Sequence, residues 1–112
     1  MKTLLIVAGS DPGAGAGLQQ DLKTATLLGV YGLTAVTAIT VQNSLGLQAV
    51  HPVAPEVLEA QLTAVLSDFS VDAIKIGMLA TGANVRALVR KLADLAEKPP
   101  LVLDPVLAAG RG

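Results

Sequence analysis

Apolar positions along this chain fall into two rhythms that alternate. Leu4, Leu5, Ile6, Val7 and Ala8 form an unbroken apolar run, which reads as a strand buried on both faces. From Ala16 to Leu28 the pattern changes: Leu18, Leu22, Ala25 and Leu28 recur at helical spacing, and Gly29 is a natural helix stop. Leu33 to Val41, rich in Val, Ile and Thr, reads as a second strand, and Gln42 to Gly46 as a loop. Pro55 opens a second helix to about Asp68, with Val57, Leu58, Leu62, Val65 and Leu66 on one face. Ala73 to Gly77 is a third strand. A third helix follows from Ala83 to Glu97, with Leu88, Leu92 and Leu95 inward, and Pro99-Pro100 ends it. Leu101 to Leu103 is the fourth strand. The alternation predicts a single α/β domain over residues 1–112: a three-layer α/β/α arrangement on a mainly parallel sheet, with about four strands and three helices.

In such sheets ligands bind beyond the carboxyl ends of the strands, and there the unusual residues gather: Gly9-Ser10-Asp11, Gln42-Asn43, Gly77-Met78 and Asp104-Pro105. Gly9, Gly13, Gly15 and Gly17 let the backbone between the first strand and first helix turn sharply and approach a ligand closely. The amides at the helix start, lacking intrahelical partners, are expected to face that ligand. Asp21, about one turn into the helix, is either a ligand-accepting carboxylate or an acid favoured by the helix dipole. Gln42 offers one acceptor and one donor group, a pairing suited to an amine-bearing heteroaromatic ring, or else is an exposed loop amide. Lys75, inside an apolar strand, demands a partner, with Asp72 or Asp104 in reach. Met78 is a core residue or a ring contact. Asp104 is either a turn residue or a carboxylate that helps hold Mg²⁺ through water and phosphate. His51 reads as a surface residue.

The glycine loop is neither a Walker A loop nor a dinucleotide fingerprint: Gly13, Gly15 and Gly17 give G-x-G-x-G, and no ribose-binding acid ends the second strand. A dinucleotide-binding domain is therefore disfavoured. The 112 residues carry a net charge of −1 and only Tyr31 and Phe69 as aromatics, so neither a nucleic-acid nor a membrane partner is expected. There is no cysteine, which excludes disulfides and thiol chemistry in this chain and suits a cytoplasmic setting. No Ser-His-Asp set or metal cluster can be assembled. The chain stops in Gly110-Arg111-Gly112 directly after its last strand, which leads us to expect a piece of a larger protein or a chain that needs a partner.

The residues that carry these signals resemble a known family. Ala8-Gly9-Ser10-Asp11-Pro12, Gly15-Ala16-Gly17, Gln19, Asp21-Leu22-Lys23, Gly29-Val30-Tyr31-Gly32, Thr37 to Asn43, Gly46-Leu47-Gln48, Ala60-Gln61-Leu62, Lys75 to Leu79 and Leu103 to Val106 resemble hydroxymethylpyrimidine/phosphomethylpyrimidine kinases of thiamine biosynthesis. The resemblance implies a ribokinase-like fold. It also implies transfer of the ATP γ-phosphate, with Mg²⁺, to 4-amino-5-hydroxymethyl-2-methylpyrimidine and then to its monophosphate. By the same resemblance Gln42 and Asp21 bind the pyrimidine, while Gly9, Met78 and Val106 wall its pocket. Asp104 sits toward the phosphates and magnesium, and the complete enzyme is a homodimer. Family members are roughly twice this length; their second half holds the anion hole, the group that activates the hydroxyl and most of the nucleotide site, so this chain alone is expected to be inactive. Two departures stand out. Pro12-Gly13-Ala14-Gly15 replaces Pro-Ser-Gly-Gly, and Ala109-Gly110-Arg111-Gly112 replaces Ala-Lys-Ser-Gly. A pyridoxal kinase of the same superfamily is the alternative within the class, and a truncated non-catalytic binding or assembly module the alternative outside it.

Overall fold

The structure, a computed structural model, describes residues 1–104. Its elements in chain order are β1 (Thr3–Ser10), α1 (Gly17–Leu27), β2 (Tyr31–Asn43), β3 (Gly46–Pro52), α2 (Pro55–Asp68), β4 (Ala73–Ile76), α3 (Gly82–Ala93) and β5 (Leu101–Leu103). They form one sheet in the order β3-β2-β1-β4-β5. β1 pairs in parallel with β2 and β4, and β4 with β5.

The unbroken apolar run of β1 is explained by its central place, because successive side chains enter two different cores. Leu5 and Val7 point to one face. There they join Leu33 and Ala35 of β2 and Ile74 and Ile76 of β4 against Leu58 and Leu62 of α2 and Ala87 and Leu88 of α3. Ile6 and Ala8 point to the other face and meet Leu18 of α1, with Leu4, Leu22 and Val36 alongside. The three-layer architecture is as the pattern predicts.

The strand count is corrected from four to five. Gln42 and Asn43, read as loop, extend β2, and Gly46–Pro52, assigned to no strand in the sequence, is β3, antiparallel to β2. Asn43 Oδ1 accepts the Leu45 amide and closes the turn, while Gly46 takes a φ of 145°. Asn-Ser-Leu-Gly directly after a run rich in Val, Ile and Thr was the available hairpin signal. Smaller corrections concern faces and ends. Leu28, counted on the buried stripe, lies past the end of α1 and is 74% exposed, and Val57 on α2 is 53% exposed. α3 stops at Ala93, short of Leu95 and Glu97. Gly29 does end α1: it adopts a φ of +74°, and the amides of Gly29 and Val30 turn back to Thr26 O and Ala25 O.

Two features aim the strand ends at one place. Ala8 faces Val36 but Ser10 faces Ile39, so β2 carries an extra residue opposite Gly9 and bends there. Ahead of β3, the Gln61 side chain on α2 takes the Val36 amide at 2.8 Å and gives a hydrogen bond to Val36 O at 2.9 Å, occupying backbone groups that would otherwise stay unpaired. No helix among the described residues is long and apolar enough to cross a membrane.

Candidate functional site

The carboxyl ends of β1, β2 and β4 and the start of α1 enclose a cleft of about 370 Å³, a size that suits a small ring compound. Of the six site residues expected from sequence, Gly9, Asp21, Gln42, Met78 and Asp104 all line it. Val106 lies outside the described residues.

The glycine corner works differently from the expectation. Its amides turn inward: Asp11, 7% exposed, accepts the N–H groups of Gly13 at 2.9 Å, Gly15 at 3.0 Å and Ala16 at 2.9 Å on its own carboxylate. The anion that satisfies this loop is therefore built into the chain. Gln19 locks the same corner, accepting the Asp11 amide at 2.8 Å and donating to Ser10 Oγ at 2.7 Å. Gly17 begins α1 with φ +62°, and a Cβ there would overlap the Gly9 carbonyl oxygen. The helix thus starts directly against the end of β1. What the corner contributes to the cleft is a close, rigid backbone wall. Asp11 and Gln19 are positioning residues the sequence reading left out of the site; an acid followed by three small-residue amides within five positions was the signal.

The opposite wall is Met78. Its Cε sits 2.8 Å from the place a Cβ would occupy on Gly9, so glycine is what lets the thioether reach across. Two buried polar side chains hold its backbone. Thr37 Oγ1 donates to Met78 O at 2.6 Å, and Asn84 Nδ2 donates to Leu79 O at 3.0 Å and Thr37 O at 3.2 Å. Thr37 and Asn84 are both 0% exposed, and they carry strained Ala80 (φ 74°) between them and the N-cap of α3, where Thr81 Oγ1 accepts the Asn84 amide.

On the floor, Thr40 Oγ1 donates its proton to Ser10 O at 2.7 Å, so its oxygen is left to accept. It accepts from Gln42 Nε2 at 2.9 Å. This fixes which end of the carboxamide is which, and leaves Oε1 and the second Nε2 proton for a ligand. Asp21, on the α1 side, lies beyond the first turn of its helix, so the dipole does not account for it. Its Oδ1 instead takes the Lys75 ammonium at 2.6 Å. Lys75 finds its partner there; Asp104 Oδ2 is farther, at 3.9 Å, and Asp72 bonds Thr3 instead. Lys75 itself lines the cleft, so it is both paired and cavity-facing, where the sequence favoured structural pairing. Asp104 closes the rim from the end of β5, its amide bonded to Ile76 O and its side chain 58% exposed. Among the described residues no three His, Cys, Asp or Glu side chains converge to hold a metal.

The fold gives the class first: it is that of the ribokinase-like vitamin kinases. The phosphomethylpyrimidine kinase from Clostridium difficile matches 97% of this chain, over 47% of its own, with a TM-score of 0.91 and 38% sequence identity. The Staphylococcus aureus pyridoxal kinase in complex with AMP-PCP and pyridoxal matches 96% of this chain, over 40% of its own, with a TM-score of 0.84 and 38% identity. In sequence, residues 11–112 match the phosphomethylpyrimidine kinase family. The hydroxymethylpyrimidine/phosphomethylpyrimidine kinase of Haemophilus influenzae is 46% identical over 114 residues, covering 100% of this chain and 41% of its own length. The chain belongs to the phosphomethylpyrimidine kinase family, and it spans about two-fifths of the length of the curated kinases of that name and about a fifth of the bifunctional thiamine-biosynthesis proteins it also matches.

Proposed function

We propose that this chain supplies the pyrimidine side of a hydroxymethylpyrimidine/phosphomethylpyrimidine kinase site, as the N-terminal part of a larger ribokinase-like kinase domain. The reaction is transfer of the ATP γ-phosphate to the hydroxymethyl oxygen of 4-amino-5-hydroxymethyl-2-methylpyrimidine, and then to its monophosphate. The observation that carries this reading is the oriented Gln42 carboxamide. An aminopyrimidine presents an amine donor beside a ring-nitrogen acceptor, and Gln42 Oε1 and Nε2 match that pair with their orientation set by Thr40 and Ser10. Gly9 and Met78 supply the flat apolar walls that a ring needs. Asp21 accepts from a second donor on the ligand.

ATP and Mg²⁺ fit the rim more than the floor. Asp104 is an exposed carboxylate with one long contact, the donor that a magnesium ion takes when phosphates and water fill its other positions. Magnesium bound there would neutralise phosphate charge, and the residues of this chain would bind and orient the ring beneath it. Because the Asp11 carboxylate already fills the glycine corner, the corner is not assigned to phosphate. Among the described residues the groups for phosphoryl transfer are not assembled, and on this reading the 112-residue chain binds without turning over. Cytoplasmic location and a homodimeric complete enzyme belong to the same proposal.

A pyridoxal kinase is the second reading, favoured by the TM-score of 0.84 to the pyridoxal-bound structure. Calorimetry separates the two. The aminopyrimidine is expected to bind the chain more tightly than pyridoxal, and Gln42→Ala to weaken the aminopyrimidine by about tenfold, the worth of one or two hydrogen bonds. Unchanged aminopyrimidine affinity in Gln42→Ala would sink the reading.

A further inference from the structure

We propose that Lys75 is a positioning residue of this site: its ammonium holds one oxygen of Asp21 so that the other is presented to the bound ring. The inference rests on the reading of the cleft as a pyrimidine site and adds a residue to it.

Lys75 occupies a costly position. Its neighbours Ile74 and Ile76 are buried in the core between the sheet and α2 and α3, so the strand's alternation sends Lys75 to the opposite face, beneath α1. An ammonium in mid-strand beside Ile6 of the central β1, on the face whose cluster is otherwise apolar, is expensive unless it does something an apolar residue cannot. Among the described residues lining the cleft it is the one cation, flanked by Asp21 and Asp104.

The geometry is asymmetric. Nζ is 2.6 Å from Asp21 Oδ1 and 3.9 Å from Asp104 Oδ2. The Asp21 side chain is 17% exposed and that of Lys75 is 24%, whereas Asp104 is 58% exposed. The ammonium is thus committed to the sheltered acid and barely engages the open one. Among the described residues Asp21 Oδ2 has no other hydrogen-bond partner. A carboxylate on a freely turning side chain would lose rotamer entropy on binding a ligand; one whose first oxygen is already held does not. The same commitment leaves Asp104 available at the rim. A purely structural ion pair would need none of this arrangement: it would stabilise the fold and leave ligand affinity alone.

The test is a double-mutant cycle on the whole chain, read by calorimetry with 4-amino-5-hydroxymethyl-2-methylpyrimidine, with circular dichroism to follow folding. Lys75→Met, which keeps the apolar stem, is expected to weaken binding about tenfold. Lys75→Arg should recover most of that loss. In an Asp21→Asn background Lys75→Met should cost less than about twofold more, because its route to the ligand is already gone. Wild-type affinity in Lys75→Met, or a full additional loss in the Asp21→Asn background, overturns the proposal. Should Lys75→Met fail to fold, Lys75→Arg and Asp21→Asn decide: Asp21→Asn binding like wild type overturns it. The outcomes also tell the two readings apart. Loss in Gln42→Ala with none in Lys75→Met removes the Lys75 proposal and keeps the pyrimidine site, whereas no loss in either removes both.

Discussion

The two faces of the sheet share the same strands and behave differently. On the α2 and α3 side Leu5, Val7, Leu33, Ala35, Ile74 and Ile76 form an apolar core that two helices cover. On the α1 side one helix covers a smaller cluster, and the strand next to it contributes Lys75 in place of a hydrophobe. β4 shows both within four residues, Ala73 to Ile76. The better-covered face stabilises; the less-covered one leaves strand ends open and can afford charge. The same division separates what should change stability from what should change binding.

Breaking the sealed face should have the largest effect. Leu62→Ala removes a side chain that is 0% exposed between α2 and the sheet. It should cost about 2–5 kcal/mol, seen as a lower urea midpoint, with the cleft's affinity unchanged in the protein that remains folded. Asp11→Ala tests the open side: three amides lose a carboxylate that is 7% exposed. A stability loss of about 1–3 kcal/mol is expected, accompanied by weaker ligand binding as the glycine corner loosens. Retention of full affinity would show that the corner is not a wall of the site.

Gly9→Ala sharpens the comparison by separating the two readouts. The new Cβ would lie 2.8 Å from Met78 Cε, the end of a flexible side chain, and 3.8 Å from Ala38 O. The thioether can move, so stability should change by less than about 1 kcal/mol, while the displaced tip narrows the cleft and lowers affinity about tenfold.

The smallest effect lies away from both faces. Asp72 accepts the Thr3 amide at 2.8 Å, and that hydrogen bond holds its carboxyl below the usual carboxylate value, aided by the charge of Lys2. A lowered folded-state value adds stability above the ordinary carboxylate value, and that stability is lost as pH falls through the folded one. Denaturation below about pH 4 should therefore show a shallower acid limb in Asp72→Asn than in wild type.

Much of this was legible along the chain. The apolar run of β1 announced a strand covered on both sides, and the spacing of Leu58 and Leu62 announced which side of α2 faces inward. The strand-end rule placed Gly9, Gln42, Met78 and Asp104 together, and all four line one cleft. β3 was missed because its alternation is weak: it is a half-exposed strand at the sheet's edge, and pattern is clearest where burial is deepest. Val57 and Leu28 were misassigned because helical spacing places residues on a stripe but does not say how wide the covered stripe is.

What the sequence determined by itself, then, is the order of the helices and the four parallel strands, a first strand covered on both faces, and the cleft at the strand ends, since all three follow from local periodicity and from where glycine and polar residues interrupt it. Partner choice was decided only in three dimensions. That Lys75 goes to Asp21 rather than to Asp72, and that Thr37 holds the Met78 carbonyl, are contacts across 54 and 41 residues. Hydrogen bonds and ion pairs act over a few ångströms in directions set by the packed backbone, and no spacing along the chain encodes those directions.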